Sequence, residues 1–237
     1  MFRDRGARGP CAAGAIPALA HGSSSALRHR SDVGSTPKMA VDKVPQFGFT
    51  NSMARPRQLT DDEILDRVAS GLSSPSWSLN EAARLAGVHA ATLIKRFGSR
   101  QGVLTALSRR WVENLPDGPT GQGGLVELLA WVAQVATTPE DRGSAVAGIA
   151  MLMEDLKDAE LSRLLAMGWG KQATYLAVLV AQARKARDLQ RAPAPEVAAQ
   201  LLLDVQLGAT VRAAAHASPR ASVDRHALLL ALIEGWR

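Results

Sequence analysis

Apolar residues recur at helical spacing through almost all of the chain after Met53. Thr60 with Glu63 three residues later has the form of a capping box, the usual start of a helix. A single apolar stripe follows it, made of Ile64, Leu65, Val68, Ala69 and Leu72. Strand-like alternation is limited to Gln46 to Thr50. The pattern therefore predicts an all-α fold with about nine helices.

Caps and breakers divide this pattern into helices. Four short helices are predicted up to Asn114, with breaks at the Ser73-Ser74-Pro75 run, Gly87 and Gly98, and a loop then runs to Gly124. In the second half, helices are predicted from Leu125 to about Thr137, behind the Thr138-Pro139 N-cap, and behind Asp158. Gly168 and Gly170 are expected to bend or break the helix behind Asp158. The last two predicted helices run over 196–217 and from Ser222 or Asp224 to the C-terminus.

Composition and pattern together suggest three segments. Residues 1–52 are rich in Gly, Ser, Ala, Pro and Arg without apolar period, which predicts a disordered tail or a non-native extension. A secretion signal over 11–20 and a transit peptide are the alternatives. The rest of the chain is predicted to form two helical domains, over residues 53–115 and 116–237.

The net charge of +6 is unevenly distributed. Residues 1–52 carry 7 basic and 3 acidic groups, residues 53–115 carry 9 and 6, and the remainder carries 12 and 13. A small basic unit beside a nearly neutral one suits a polyanionic partner. The sequence contains no run of 18 apolar residues, so no membrane-spanning helix is predicted. Cys11 is the single cysteine, which excludes an internal disulfide and favours an intracellular setting.

The sequence contains no residue pattern that indicates catalysis. Its histidines have no metal-ligand spacing, Gly118 to Gly124 lacks the Lys-Ser/Thr end of a phosphate loop, and no Gly-x-Ser-x-Gly elbow occurs. We therefore expect no enzyme activity, no cofactor and no metal site.

Ser78 to Leu104 has the plan of a helix-turn-helix motif. Two short helices are joined by a tight turn at Gly87, and the second helix carries exposed polar and basic residues. Such a second helix enters the DNA major groove, so residues 53–115 are predicted to form a DNA-binding domain.

The segment resembles the N-terminal domain of the tetracycline-repressor (TetR) family over about 45 residues, from Leu59 to Leu104. The matching positions are Ala86, Gly87, Val88, Thr92, Leu93, Phe97, Ser99 and Leu104. Arg100 keeps the charge of the family's lysine, and Ala91 stands where glycine is common. Ile94 replaces a tyrosine whose hydroxyl helps to hold the DNA backbone.

The resemblance implies a dimeric cytoplasmic regulator at the bacterial nucleoid, usually a repressor, which a small-molecule effector releases from double-stranded operator DNA. Ser78 is expected to meet a phosphate while it caps its helix, and Arg100 to hold a phosphate at a helix start. Arg55 and Arg57 are expected to form an arm along the minor groove. The full set implied to face DNA is Arg55, Arg57, Ser78, Ala90, Thr92, Lys95, Arg96 and Arg100. Arg109 and Arg110, beyond the motif, are expected to belong to a solvated face.

The predicted helices from Leu125 to Arg187 are apolar enough to enclose a pocket for an apolar ligand, so residues 116–237 are predicted to form a helical ligand-binding and dimerisation domain. The candidate lining residues are Trp131, Met151, Met153, Met167, Trp169 and Tyr175. The candidate dimer-interface residues are Leu201, Val205, Gly208, Val211, Leu228, Leu232 and Trp236. For both sets the competing interpretation is burial in the core of one subunit. The competing function is an apolar-ligand carrier or interaction module with a vestigial DNA-binding domain, which Ile94 favours.

Overall fold

The structure, a computed structural model, describes residues 59–72, 76–136, 142–215 and 224–237. Within these ranges it contains nine helices and no strand, which confirms the predicted all-α fold. The helices are α1 (Asp61–Gly71), α2 (Leu79–Ala86), α3 (Ala90–Phe97), α4 (Arg100–Asn114), α5 (Gly124–Ala136), α6 (Arg142–Asp155), α7 (Ala159–Lys185), α8 (Pro195–Ala215) and α9 (Arg225–Gly235). Arg55, Arg57, the predicted tail over 1–52, the Thr138 cap and Ser222 lie outside the described residues.

The side chains predicted to start helices do so. Thr60 and Glu63 form both bonds of a capping box, with the Glu63 N–H donating to Thr60 Oγ1 at 3.1 Å. Ser78, Ser99 and Asp158 accept bonds in the same way from backbone N–H groups three residues ahead. The local sequence therefore defines where these helices begin.

The predicted break of α7 at Gly168 and Gly170 is wrong, because α7 continues over 27 residues. The helix packs against α4, α5, α6 and α8, and these contacts outweigh the low helix propensity of glycine. Gly168 instead permits close packing: a Cβ added there would lie 1.9 Å from Trp111 Cζ3.

The helices share three apolar clusters. The first, which we call the N-terminal cluster, joins the four helices α1 to α4 and includes Leu161 from the start of α7. The second cluster joins α5, α7, α8 and α9. Trp111 and Leu115, from α4 and the residue after it, belong to a third cluster with Met151, Leu152 and Leu165. Helix α4 thus contributes to the N-terminal cluster with its first turns and to the third cluster with its last turns.

By length and composition alone, α7 could cross a membrane. Core helices meet the same criterion, and α7 buries Leu161, Leu165 and Leu176 within the fold.

Candidate nucleic-acid interface

The turn between α2 and α3 depends on Gly87, which has a φ of 69°. L-residues with side chains rarely adopt this left-handed conformation, so glycine suits the position. The Gly87 N–H donates to the carbonyls of Ala83 and Arg84. From α1, Arg67 Nη1 donates to the Ala86 carbonyl at 3.0 Å. These bonds close the end of α2 and join it to α1, and the turn at Gly87 leads directly into α3, which is the arrangement of a helix-turn-helix motif.

One side of α3 is buried against the fold, and the opposite side is exposed to solvent. Leu93 is completely buried in the N-terminal cluster. Ala91, Ile94 and Lys95 are exposed, and the Ile94 side chain is 50% accessible. The predicted DNA-facing residues Ala90 and Thr92 are half-buried, whereas Lys95 extends from the exposed face.

Arg96 reaches back to the start of α1. Its Nη1 donates to the Leu59 carbonyl at 2.6 Å and to Asp61 Oδ1 at 3.0 Å. The sequence analysis did not anticipate this pair, because the two partners lie 35 positions apart. The guanidinium therefore holds α3 to the segment that precedes α1.

Arg100 connects the motif to α6. Its Nε donates to the Trp77 carbonyl at 3.1 Å, and its Nη2 donates to Glu154 Oε2 at 3.0 Å. The guanidinium carbon also lies 4.7 Å from the centre of the Trp77 ring, a cation–π distance. The side chain at the start of α4 is thus held between the motif and the end of α6.

The remaining polar positions divide between caps and ion pairs. Ser78 is exposed and accepts the Glu81 N–H at 3.2 Å. Arg110 forms a two-pronged pair with Asp66 and also contacts Asp62, so that it ties α4 to α1. Arg109 pairs with Glu160 on α7 at 3.0 Å. Both arginines are therefore engaged within the fold.

Of the six residues proposed for a ligand pocket, Trp169 lines a cavity between α7 and α8. Trp131 and Met151 are buried in the second and third apolar clusters. Met153 and Met167 are each about half exposed. Tyr175 is half-buried, and its hydroxyl lies 3.4 Å from Glu127 Oε2.

Glu127 is a buried carboxylate that organises the loop before α5. It accepts the backbone N–H groups of Thr120 at 2.7 Å and of Gly121 and Gln122 at 3.0 Å. Burial acts to raise its pKa, but these backbone donors outweigh burial and hold the pKa below its ordinary value. Glu127 is thus a structural residue at the glycine-rich segment.

The α7–α8 cavity has a volume of about 210 Å³. Its lining includes Gln172, whose side-chain nitrogen has no hydrogen-bond partner among the described residues. The sequence analysis missed this residue. A polar side chain at a buried position of α7, four residues after Gly168 and four before Leu176, was the available signal.

Most of the proposed dimer residues lie on one face of α8 and α9. Leu201, Val205, Leu228 and Leu232 line an open apolar groove together with Asp204, Arg212 and Ala231. Val211 is 49% exposed and Gly208 is half-buried. Trp236 lies elsewhere, buried in the second apolar cluster.

Among the described residues, no group of three or more His, Cys, Asp or Glu side chains could hold a metal ion.

Comparison with known proteins gives a sequence relative and a fold relative. Over 86 residues, 35% of this chain, the sequence is 33% identical to the HTH-type transcriptional regulator AlkX of Mycobacterium tuberculosis (strain ATCC 25618 / H37Rv). The match spans 39% of that relative's length. No family model matches the sequence.

The fold is similar to a crystal structure from Rhodococcus sp. of a protein assigned to the TetR-family transcriptional regulators. The TM-score is 0.53 at 18% sequence identity, over 74% of this chain and 97% of the other. This agrees with the resemblance inferred from the motif. The chain thus has the fold of this TetR-family structure, and about a third of its sequence is similar to a helix-turn-helix regulator.

Proposed function

We propose that the protein is a homodimeric transcriptional regulator that represses genes by binding operator DNA and is controlled by a small molecule. One observation carries the proposal: the Gly87 turn holds α3 with Leu93 buried and Ala91, Ile94 and Lys95 exposed. A short helix anchored on one side and free on the other fits a major groove. This function requires no enzyme activity and belongs in the cytoplasm, at the nucleoid.

The DNA-contacting set follows from the resemblance and comprises Arg55, Arg57, Ser78, Ala90, Thr92, Lys95, Arg96 and Arg100. Lys95 is the member best supported by exposure, since it stands on the free face of α3. Arg96 and Arg100 have acidic partners, Asp61 and Glu154. On DNA, phosphates compete with these carboxylates for the two guanidinium groups.

Effector control is supported by the cavity between α7 and α8. Residues 53–115 are proposed to form the DNA-binding domain and residues 116–237 the regulatory one. The Arg100–Glu154 pair at 3.0 Å joins the motif to α6 of the second segment. A ligand that shifts α6 would change where this arginine is held.

The groove on α8 and α9 supports the homodimer. Exposed Val197, Leu201 and Val211 add an apolar stripe along α8. A second copy of the chain would cover this stripe and generate a four-helix interface. Two motifs related by a two-fold axis then match a palindromic operator.

The decisive experiment maps the DNA bound across the genome and footprints the promoter beside the protein's own gene. A protected palindrome, protected more weakly by Lys95→Ala but fully by Lys157→Ala, supports the proposal. Lys157 is a matched exposed lysine in the turn between α6 and α7. Absence of protected DNA for the wild-type protein would refute it.

A second candidate function is an apolar-ligand carrier with a vestigial DNA-binding domain. The half-exposed Ile94 on α3, and the engagement of Arg96 and Arg100 within the fold, favour it. The double variant Arg96→Ala/Arg100→Ala separates the two: a regulator loses its activity, whereas a carrier keeps its ligand affinity. Lys157→Ala/Lys185→Ala removes the same charge from exposed positions and serves as the control.

A further inference from the structure

Gln172 is a buried hydrogen-bond donor at a cavity wall. Its side chain belongs to α7 and is 3% exposed, so it is more than nine-tenths buried. The amide nitrogen is itself buried and has no hydrogen-bond partner among the described residues, so a turn of this side chain toward the cavity would present the N–H to a ligand. Because a buried polar group without a partner costs on the order of 1–3 kcal/mol, a molecule that brings an acceptor to Gln172 gains binding free energy.

The cavity suits a compact apolar body. Trp169, Leu203 and Leu207 supply apolar walls. Gly170 also lines the cavity and, because it has no side chain, leaves additional space there. Its volume of about 210 Å³ exceeds the roughly 150 Å³ of a cavity that holds benzene. The space therefore accepts one ring with a short substituent, on the order of ten to fifteen non-hydrogen atoms.

The charge of the lining favours a ligand without an anionic group. Asp204 is the one charged side chain that the described part of the chain contributes to this cavity, and it accepts a bond from Gln200 Nε2 at 2.8 Å. No lysine, arginine or histidine lines the cavity within those same residues. A carboxylate would therefore meet like charge and no cation.

We propose that this cavity binds an uncharged, compact aromatic compound with a single carbonyl-type acceptor, which Gln172 recognises through its side-chain N–H. The inference deepens the proposed function, since this compound would be the effector. Its recognition chemistry is independent of DNA. Gln172 orients the polar end of the ligand, and Trp169 with the two leucines encloses the apolar end.

Three small probes of similar size test this recognition on the full-length protein. Propiophenone has the ring and the carbonyl, propylbenzene lacks the carbonyl, and 3-phenylpropanoate is anionic. We expect propiophenone to bind at least fivefold more tightly than propylbenzene and tenfold more tightly than 3-phenylpropanoate, by ligand-observed NMR titration. Equal affinity for the ketone and the hydrocarbon, tighter binding of the anion, or no binding of the ketone would overturn the proposal.

Variants assign the effect to this cavity. Gln172→Leu replaces the amide with an apolar side chain of similar size and should abolish the preference for the ketone. Gly170→Leu and Ala173→Leu fill the cavity from two positions and should weaken all binding at least tenfold, whereas Gly170→Ala should not. Thermal melting verifies that each variant folds. Ketone binding that is unchanged in Gln172→Leu and in both filled variants would place the probe elsewhere and overturn the proposal.

DNA binding, measured on the same proteins, separates this inference from the proposed function. A protein that binds DNA and discriminates none of the probes overturns the ligand site alone. A protein that binds the ketone through Gln172 and no DNA overturns the regulator and supports the ligand site.

Discussion

The Trp111 ring lies directly against Gly168, where an added Cβ would come within 1.9 Å of Cζ3. Gly170, two residues further along α7, has no atom within 4 Å of such a Cβ. We expect Gly168→Ala to lower the free energy of unfolding by about 1–3 kcal/mol, because overpacking outweighs the better helix propensity of alanine.

Gly170→Ala should instead raise the free energy of unfolding, by up to about 1 kcal/mol, through the same helix propensity. Urea denaturation of the two variants beside the wild type measures both effects. A stabilised Gly168→Ala protein would contradict the close packing of α4 on α7.

Lys95 should contribute to DNA affinity through phosphate charge. If five basic groups per subunit contact phosphate, log affinity falls with log salt with a slope of about −9 for a dimer. Lys95→Ala removes two contacts per dimer, so the slope should become shallower by about 2. Fluorescence anisotropy over a salt series measures it, and Lys157→Ala should leave the slope unchanged.

If the protein binds DNA as proposed, Glu154 should compete with a phosphate for Arg100. Glu154→Gln weakens the pair that now joins Arg100 Nη2 to Glu154 Oε2 at 3.0 Å. Because partly exposed ion pairs contribute about 0.2–1 kcal/mol each and a dimer contains two of them, operator affinity should rise by up to about thirtyfold. The affinity of Glu154→Gln for its footprinted operator checks this, and a drop in affinity would argue that the pair positions Arg100 for DNA.

The groove on α8 and α9 should carry the dimer. Leu201→Glu places a charge in that groove and should shift the protein to a monomer in light scattering. Val126→Glu, at a 54% exposed apolar position on α5, is the matched control and should keep the wild-type mass. A wild-type protein that is already monomeric would reject the homodimer.

Asp155 should make stability fall as pH rises. Burial, followed by the charges of Glu154 and Asp158, raises its pKa from 3.8 to about 6. Between these pH values the folded state holds a proton that the unfolded chain releases. The free energy of unfolding should therefore decrease with pH in this window, by up to about 1.4 kcal/mol per pH unit.

Asp155→Asn removes this titration and should flatten the pH dependence between pH 4 and pH 6. Urea unfolding at several pH values compares this variant with the wild type. Asp188→Asn, at an exposed position, should retain the wild-type slope. A slope unchanged by Asp155→Asn would mean that other groups cause it.

Local chemistry explains why much of the fold was predictable from sequence. Thr60 and Ser78 satisfy N–H groups only three residues away, and Gly87 adopts its left-handed conformation within a single turn. The apolar stripes likewise mark the buried face of each helix. Such signals depend only on residues that are close together in the chain, so they can be recognised in a single sequence.

The contacts that the sequence did not reveal join distant segments. Arg96 meets Asp61 across 35 positions, and Arg100 meets Glu154 across 54. From the sequence alone Gly168 predicts a helix break, and only the structure shows that the Trp111 ring packs against it. Met153 and Met167 are of a residue type that often lines apolar ligand pockets, but their positions around the helices leave both side chains about half exposed.

Helix α4 has a consequence for how the protein unfolds. Its Val103, Leu104 and Leu107 belong to the N-terminal cluster, which also takes in Leu161 from α7, while its Trp111 lies in the third cluster. A fragment that ended at Leu115 would lose Leu161 and expose the indole of Trp111. The two halves should therefore melt in one cooperative transition, so that a destabilising change in the second half also unfolds the helix-turn-helix motif.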